Sequence, residues 1–97
     1  MRAYLAELSR RARDAASYPR AARRLGLEGV AVIAGSIAPD GRLLAPRLAR
    51  SSGSPALDEA ALAACRALAL PPPDPDLLPA LAAVQVPIRF ALTAAAR

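Results

Sequence analysis

Where proline falls constrains this chain more than anything else in it. Ten prolines are spread through 97 residues, and two of them, Pro46 and Pro87, sit inside runs that otherwise read as β-strands. A proline has no N–H to give to a ladder, so within sheets it is confined largely to edges. Three runs have strand character: Gly29 to Ala38, about Arg42 to Ser51, and Val84 to Leu92. Only the first has a proline-free interior, so it belongs in the middle and the strand order is 2-1-3. The other prolines punctuate. Pro19 breaks a leading helix and can open a second one. Pro39 sits in a turn, and Pro55 suits the first position of a helix. Pro71, Pro72, Pro73, Pro75 and Pro79 fill a crossover, Leu70 to Pro79, expected to hold no regular structure.

Between these marks the periodicity assigns the elements. Residues 3–16 read as a helix, with Leu5, Leu8, Ala12, Ala15 and Ala16 on one side and Arg10, Arg13 and Asp14 on the other. Glu7 and Arg11 make a favourable i, i+4 pair. A second short helix, Pro19 to Leu25, is stopped by Gly26 as a left-handed cap. The first strand puts Ala31, Ile33, Gly35 and Ile37 on one face and Val30, Val32, Ala34 and Ser36 on the other. Ala38-Pro39-Asp40-Gly41 suits a type I turn that closes a hairpin. Ser51-Ser52-Gly53 ends the return strand. Ser54 then caps a helix in which Asp58 and Glu59 oppose the dipole. Its buried stripe is Leu57, Ala61, Ala64 and Leu68, with Cys65 alongside. Leu77, Leu78 and Leu81 cover the open end of the core. The last strand alternates, with Val84, Val86, Ile88, Phe90 and Leu92 inward and Gln85, Pro87, Arg89 and Ala91 outward. The expected fold is α+β: a three-stranded antiparallel sheet with helices packed on one face. A single domain spans 1–97, with an N-terminal helix in 1–17, a core in 18–92 and a tail in 93–97.

Composition closes off most chemistry. The apolar share is 55%, but much of it is alanine, and Tyr4, Tyr18 and Phe90 are the only aromatics. All 13 basic residues are arginine, seven of them before the first strand, and the net charge is +5. With no histidine, Ser-His-Asp, Cys-His and histidine-bearing metal sites are excluded. The acidic residues follow no metal-loop spacing and the glycines form no phosphate-binding loop, so no enzyme, cofactor or metal is expected. Cys65 stands alone, which rules out an internal disulfide. No apolar run reaches the ~18–20 residues of a membrane span, and arginines interrupt any secretory segment at once, so a soluble piece without its own address is expected.

Taken in order, the signals form a set: Tyr18-Pro19 with Ala22, then Gly29 opening an apolar stretch, then Asp40-Gly41-Arg42. Ser51-Ser52-Gly53, Leu57-Asp58 with Ala60-Ala61-Leu62, a Pro-rich loop and a closing strand containing Pro87 follow. In order and spacing this set resembles the C-terminal domain of the TonB family of periplasmic energy transducers, over roughly residues 4–92. The chain departs from the family pattern at Gly35, Cys65 and Leu70-Pro71.

The resemblance implies a non-enzymatic adaptor at the end of a longer protein. An inner-membrane anchor, a Pro-rich linker and an ExbB/ExbD-type motor would belong to the missing N-terminal part, and the domain would work in the periplasm. Its implied partner is the TonB-box segment of TonB-dependent outer-membrane transporters, added as a strand beside Val84–Leu92. The hinge region Ser17 to Arg20, with Tyr18, would face the transporter too. Main-chain direction refines the edge. Pro87 lacks an N–H, so its side is the cheaper one to turn outward, together with Gln85, Arg89 and Ala91. An open edge is also a template for a strand-swapped homodimer. Two other readings stand beside this one: a TolA-like envelope protein-binding domain, and a small basic nucleic-acid-binding module. The last lacks interleaved aromatics, and no nucleic-acid partner is expected.

Overall fold

Two arginine-rich helices lead into the sheet in the structure, a computed structural model that describes residues 2–92. Residues 93–97, expected as a tail, lie outside the described residues, as does Met1. Helix α1 (Arg2–Ala15) buries Leu8 and Ala12 and lays Tyr4 and Leu5 against the core. Ala15, expected on that stripe, is exposed; it is the last helical residue, where the chain turns toward the Tyr18-Pro19 hinge. Arg10 and Arg11 both donate to Glu7, and these bonds hold its carboxyl down to about 2. Helix α2 (Arg20–Arg24) ends on Gly26 at φ +70°, with the Leu27 N–H reaching back to the Ala22 carbonyl at 2.9 Å.

Strand β1 (Gly29–Ile37) is central, between β2 (Leu43–Arg50) and β3 (Val84–Phe90), both antiparallel to it. The order 2-1-3 deduced from Pro46 and Pro87 is the order observed. Ala31, Ile33 and Ile37 meet Val84, Val86, Ile88 and Phe90 in one buried layer under the helices. Gly35 also faces inward, and its missing Cβ has a purpose. A Cβ there would stand 2.9 Å from the Leu44 carbonyl oxygen and from the Leu43 side chain, which fills the space instead.

The β1–β2 hairpin closes on the Gly41 N–H to the Ala38 carbonyl at 2.9 Å, with Gly41 at φ +93°. The return strand is irregular. Val32 pairs with Arg50 and Ile33 with Leu48, so Ala49 is an extra residue; Ala34 pairs with Arg47 and Ser36 with Leu44, so Ala45 and Pro46 together face Gly35. These are β-bulges, and at the second Ala45 adopts φ +48°, a left-handed conformation rare outside glycine.

Helix α3 (Pro55–Arg66) has the expected cap, Ser54 Oγ accepting from the Leu57 N–H at 3.4 Å, and buries Leu57, Ala61, Ala64 and Cys65. Asp58 does more than oppose the dipole. Its carboxylate accepts from the Ser51 hydroxyl, and from the Ser52 N–H and hydroxyl at 2.7 Å each, locking the turn between β2 and α3. The crossover is not wholly irregular: Pro75–Leu77 and Ala80–Ala82 each form a 3₁₀ turn, the first capped by Asp74. Proline suits the first position of such a turn, where no N–H is needed. Leu81 is fully buried and Leu77 packs against the core. Helix α1 ties the crossover down, with the Tyr4 hydroxyl donating to the Pro71 carbonyl and Arg11 to the Ala69 carbonyl, both at 3.0 Å.

Candidate binding edge and hinge

The two edges of the sheet differ in kind. Edge strand β2 is broken by two bulges and Pro46, whereas β3 keeps one uninterrupted register with β1 from Gly29↔Phe90 to Gly35↔Val84. Among the described residues no strand pairs with the outer side of β3. Its burial alternates fully: Val84, Val86, Ile88 and Phe90 are buried, and Gln85, Pro87 and Arg89 are exposed.

Pro87 stands opposite Val32. Antiparallel pairs alternate between those that exchange both N–H···O bonds and those that exchange none, and a proline cannot complete an exchanging pair. The exchanging pairs therefore fall to Val84, Val86, Ile88 and Phe90, and the main-chain groups of Gln85 and Arg89 turn outward. The Leu92 N–H has the inward parity and donates to a Glu28 carboxylate oxygen at 2.8 Å.

That contact corrects the expected end of the strand. Strand β3 stops at Phe90; Ala91 and Leu92 lie beyond it, half-buried, and Leu92 is held by a side chain rather than by the β1 ladder. The signal for Glu28 was a lone carboxylate one residue before Gly29, unreadable until the two chain segments are brought together.

The hinge meets this same end of β3. The Tyr18 ring packs edge-on against Phe90, with centroids 5.4 Å apart and planes at 86°. Its hydroxyl donates to the Leu27 carbonyl, and the Arg23 guanidinium lies 5.3 Å above its ring. Burial, then the Glu28 charge, raises the Tyr18 hydroxyl above its ordinary value, so it stays a donor. Ser17 and Arg20 flank it, exposed. Arg89 and Ala91 join Glu28, Gly29, Val30 and Phe90 around an open concavity of about 370 Å³. Of the hinge residues Tyr18 meets this end of β3, through Phe90; Arg89 and Ala91 line the concavity there, while Gln85 lies toward the other end.

Among the described residues no three His, Cys, Asp or Glu side chains come together, and no helix is long and apolar enough to cross a membrane. Burial pushes the Cys65 thiol up to about 11, far from a reactive thiolate at neutral pH.

A three-stranded antiparallel sheet of order 2-1-3, helices on one face and a Tyr-Pro hinge against the end of β3, defines a class of small α+β domain. The chain belongs to the Gram-negative bacterial TonB protein C-terminal family, whose profile matches residues 14–92. It is 36% identical over 75 residues to protein TonB of Vibrio cholerae, a match covering 77% of this chain and 31% of that relative's length. Two solution structures of the Helicobacter pylori TonB C-terminal domain share the fold. The one of residues 194–285 superposes with a TM-score of 0.73 at 24% identity, covering 92% of this chain and 94% of that one. The one of residues 179–285 gives 0.71 at 23% identity, covering 94% and 82%.

Proposed function

We propose that this domain captures the TonB-box segment of outer-membrane transporters by adding it as a strand to β3, and transmits to it force drawn from the proton gradient. The observation that carries this reading is the asymmetry of the edges: of two edge strands, only β3 has an unbroken register and outward main-chain groups to pair with. Strand addition takes affinity from main-chain hydrogen bonds and specificity from neighbouring side chains. Gln85, Arg89 and Ala91 supply the first contacts, Pro87 spaces them, and Ser17, Tyr18 and Arg20 meet the transporter beside the end of the strand. The matched segment is under a third of the Vibrio cholerae relative. A periplasmic location, the inner-membrane anchor and the ExbB/ExbD-type motor are therefore part of this proposal, as properties of a longer protein.

An amide-shift titration with TonB-box peptides from the same genome tests it. Shifts concentrated on residues 85–91, spreading to Tyr18 through Phe90, are expected. Saturating binding that moves β2 and leaves β3 untouched would overturn the assignment.

A further inference from the structure

Only one face of the sheet is covered by helices. On the other, residues paired across the strands share a side and form rows: Arg47, Ala34 and Gln85; then Arg50, Val32 and Pro87; then Val30 and Arg89. The central column of Ser36, Ala34, Val32 and Val30 is small or apolar. Arg47 and Arg50 rise along one side of it, Gln85 and Arg89 along the other. Two interstrand spacings make this trough about 10 Å across, and six residue steps along β1 make it about 20 Å long. Concavities open at both ends, one of about 360 Å³ lined by Ala34, Ser36, Leu44, Arg47 and Gln85 among others, the second being the one at Val30 and Arg89.

The charge is all of one sign. No carboxylate stands on any of the three strands, and Arg47, Arg50 and Arg89 join no ion pair among the described residues. The one acid at the rim, Glu28, is engaged by the Leu92 N–H. Val30 and Leu44 are 42% and 46% exposed.

We propose that this trough docks an acidic amphipathic helix of a partner protein. The helix lies along β1, its apolar stripe on Val30 and Val32 and its flanking carboxylates against Arg47, Arg50 and Arg89. A helix satisfies its own main-chain groups and can cover a sheet face, whereas an extended segment laid there would leave them unpaired. A helix diameter of about 10–12 Å matches the trough, and its length accepts about 13 residues at ~1.5 Å each. A flat anionic membrane would touch the rim guanidiniums but not the apolar floor. Single-stranded nucleic acid would want a stacking platform, and Tyr4, Tyr18 and Phe90 all pack on the helix side.

The test uses a 14-residue helix-forming peptide with leucines on one face and glutamates on both flanks, and a twin with lysines in their place. The glutamate peptide should shift the amides of Val30, Val32, Ala34 and Ser36, and weaken with added salt. Arg47→Glu with Arg50→Glu, both at exposed positions, should reduce its affinity at least tenfold. Val30→Glu, which places a carboxylate on the floor, should do the same without touching an arginine. The idea is overturned by absence of binding, by equal binding of the lysine twin, or by unchanged affinity in both variants. Capture by phosphatidylglycerol vesicles or single-stranded DNA through the same arginines, with the peptide ignored, also sinks it. None of these substitutions lies on β3, so a failed trough and a failed strand-addition edge give different results.

Discussion

Burial alone would raise the Asp58 carboxyl, yet the hydrogen bonds from Ser51 and Ser52 together hold it below the usual carboxylate value. A carboxyl whose folded pKa is depressed adds stability that is present above its unfolded pKa and lost as pH falls through the folded one. Acid titration of unfolding should therefore show a loss below about pH 4 that is smaller in Asp58→Ala, the depressed Glu7 carboxyl still titrating in the same window. That variant takes the acceptor from the Ser51 hydroxyl and the Ser52 N–H, while the Ser52 hydroxyl keeps the Ser54 carbonyl, and should cost about 1–3 kcal/mol, read as a shift in urea midpoint. Phe90 is 4% exposed and carries the Tyr18 ring. Phe90→Ala should cost about 3–5 kcal/mol, and an unchanged midpoint would contradict its place in the core. Cys65, fully buried with its thiol pushed up to about 11, should react with a disulfide reagent no faster than the protein unfolds. The inward set on β3 was readable from sequence because alternation is local. The Asp58 latch was not, because it needs Ser51 and Ser52 folded back across a turn whose closure depends on α3 docking.

Among the elements, the strand order was legible because the missing N–H of Pro46 and Pro87 is a property of the residue itself. The bulges in β2 were not: a bulge exists only between two strands, and nothing in Ala45 or Ala49 announces an unpaired position. The short turns at Pro75–Leu77 and Ala80–Ala82 were missed because prolines that forbid a long helix still permit a single 3₁₀ turn. Ala45 at φ +48° gives a direct check. A left-handed alanine costs about 1–2 kcal/mol, and glycine gives back about 0.5–1 in lost freedom. Ala45→Gly should therefore stabilise by up to about 1 kcal/mol, seen as a thermal midpoint several degrees higher. Gly35→Ala should do the opposite, since its Cβ would meet the Leu44 carbonyl at 2.9 Å. On the other edge, Arg89→Pro removes one outward donor and spares the inward ladder. It should weaken TonB-box peptide binding by roughly 0.5–1.5 kcal/mol, measured by calorimetry. A folded variant that binds like the parent would move the site elsewhere.

At the scale of the whole molecule, the bulged β2 edge sets a valence. A subunit that grows into a filament by strand pairing needs two competent edges, one to accept and one to offer. This sheet has a regular side at β3 that no strand among the described residues pairs with, and an interrupted side at β2, where Ala45, Pro46 and the extra Ala49 break the row of main-chain donors and acceptors. Two copies meeting β3 to β3 would consume both regular sides and present only interrupted ones outward. Sedimentation at rising concentration should thus reach a ceiling at two copies, and a strand-adding peptide should lower that ceiling to one. With the two edges ordered in this way the domain is expected to terminate sheet growth, each molecule plugged once and nothing threaded on behind it.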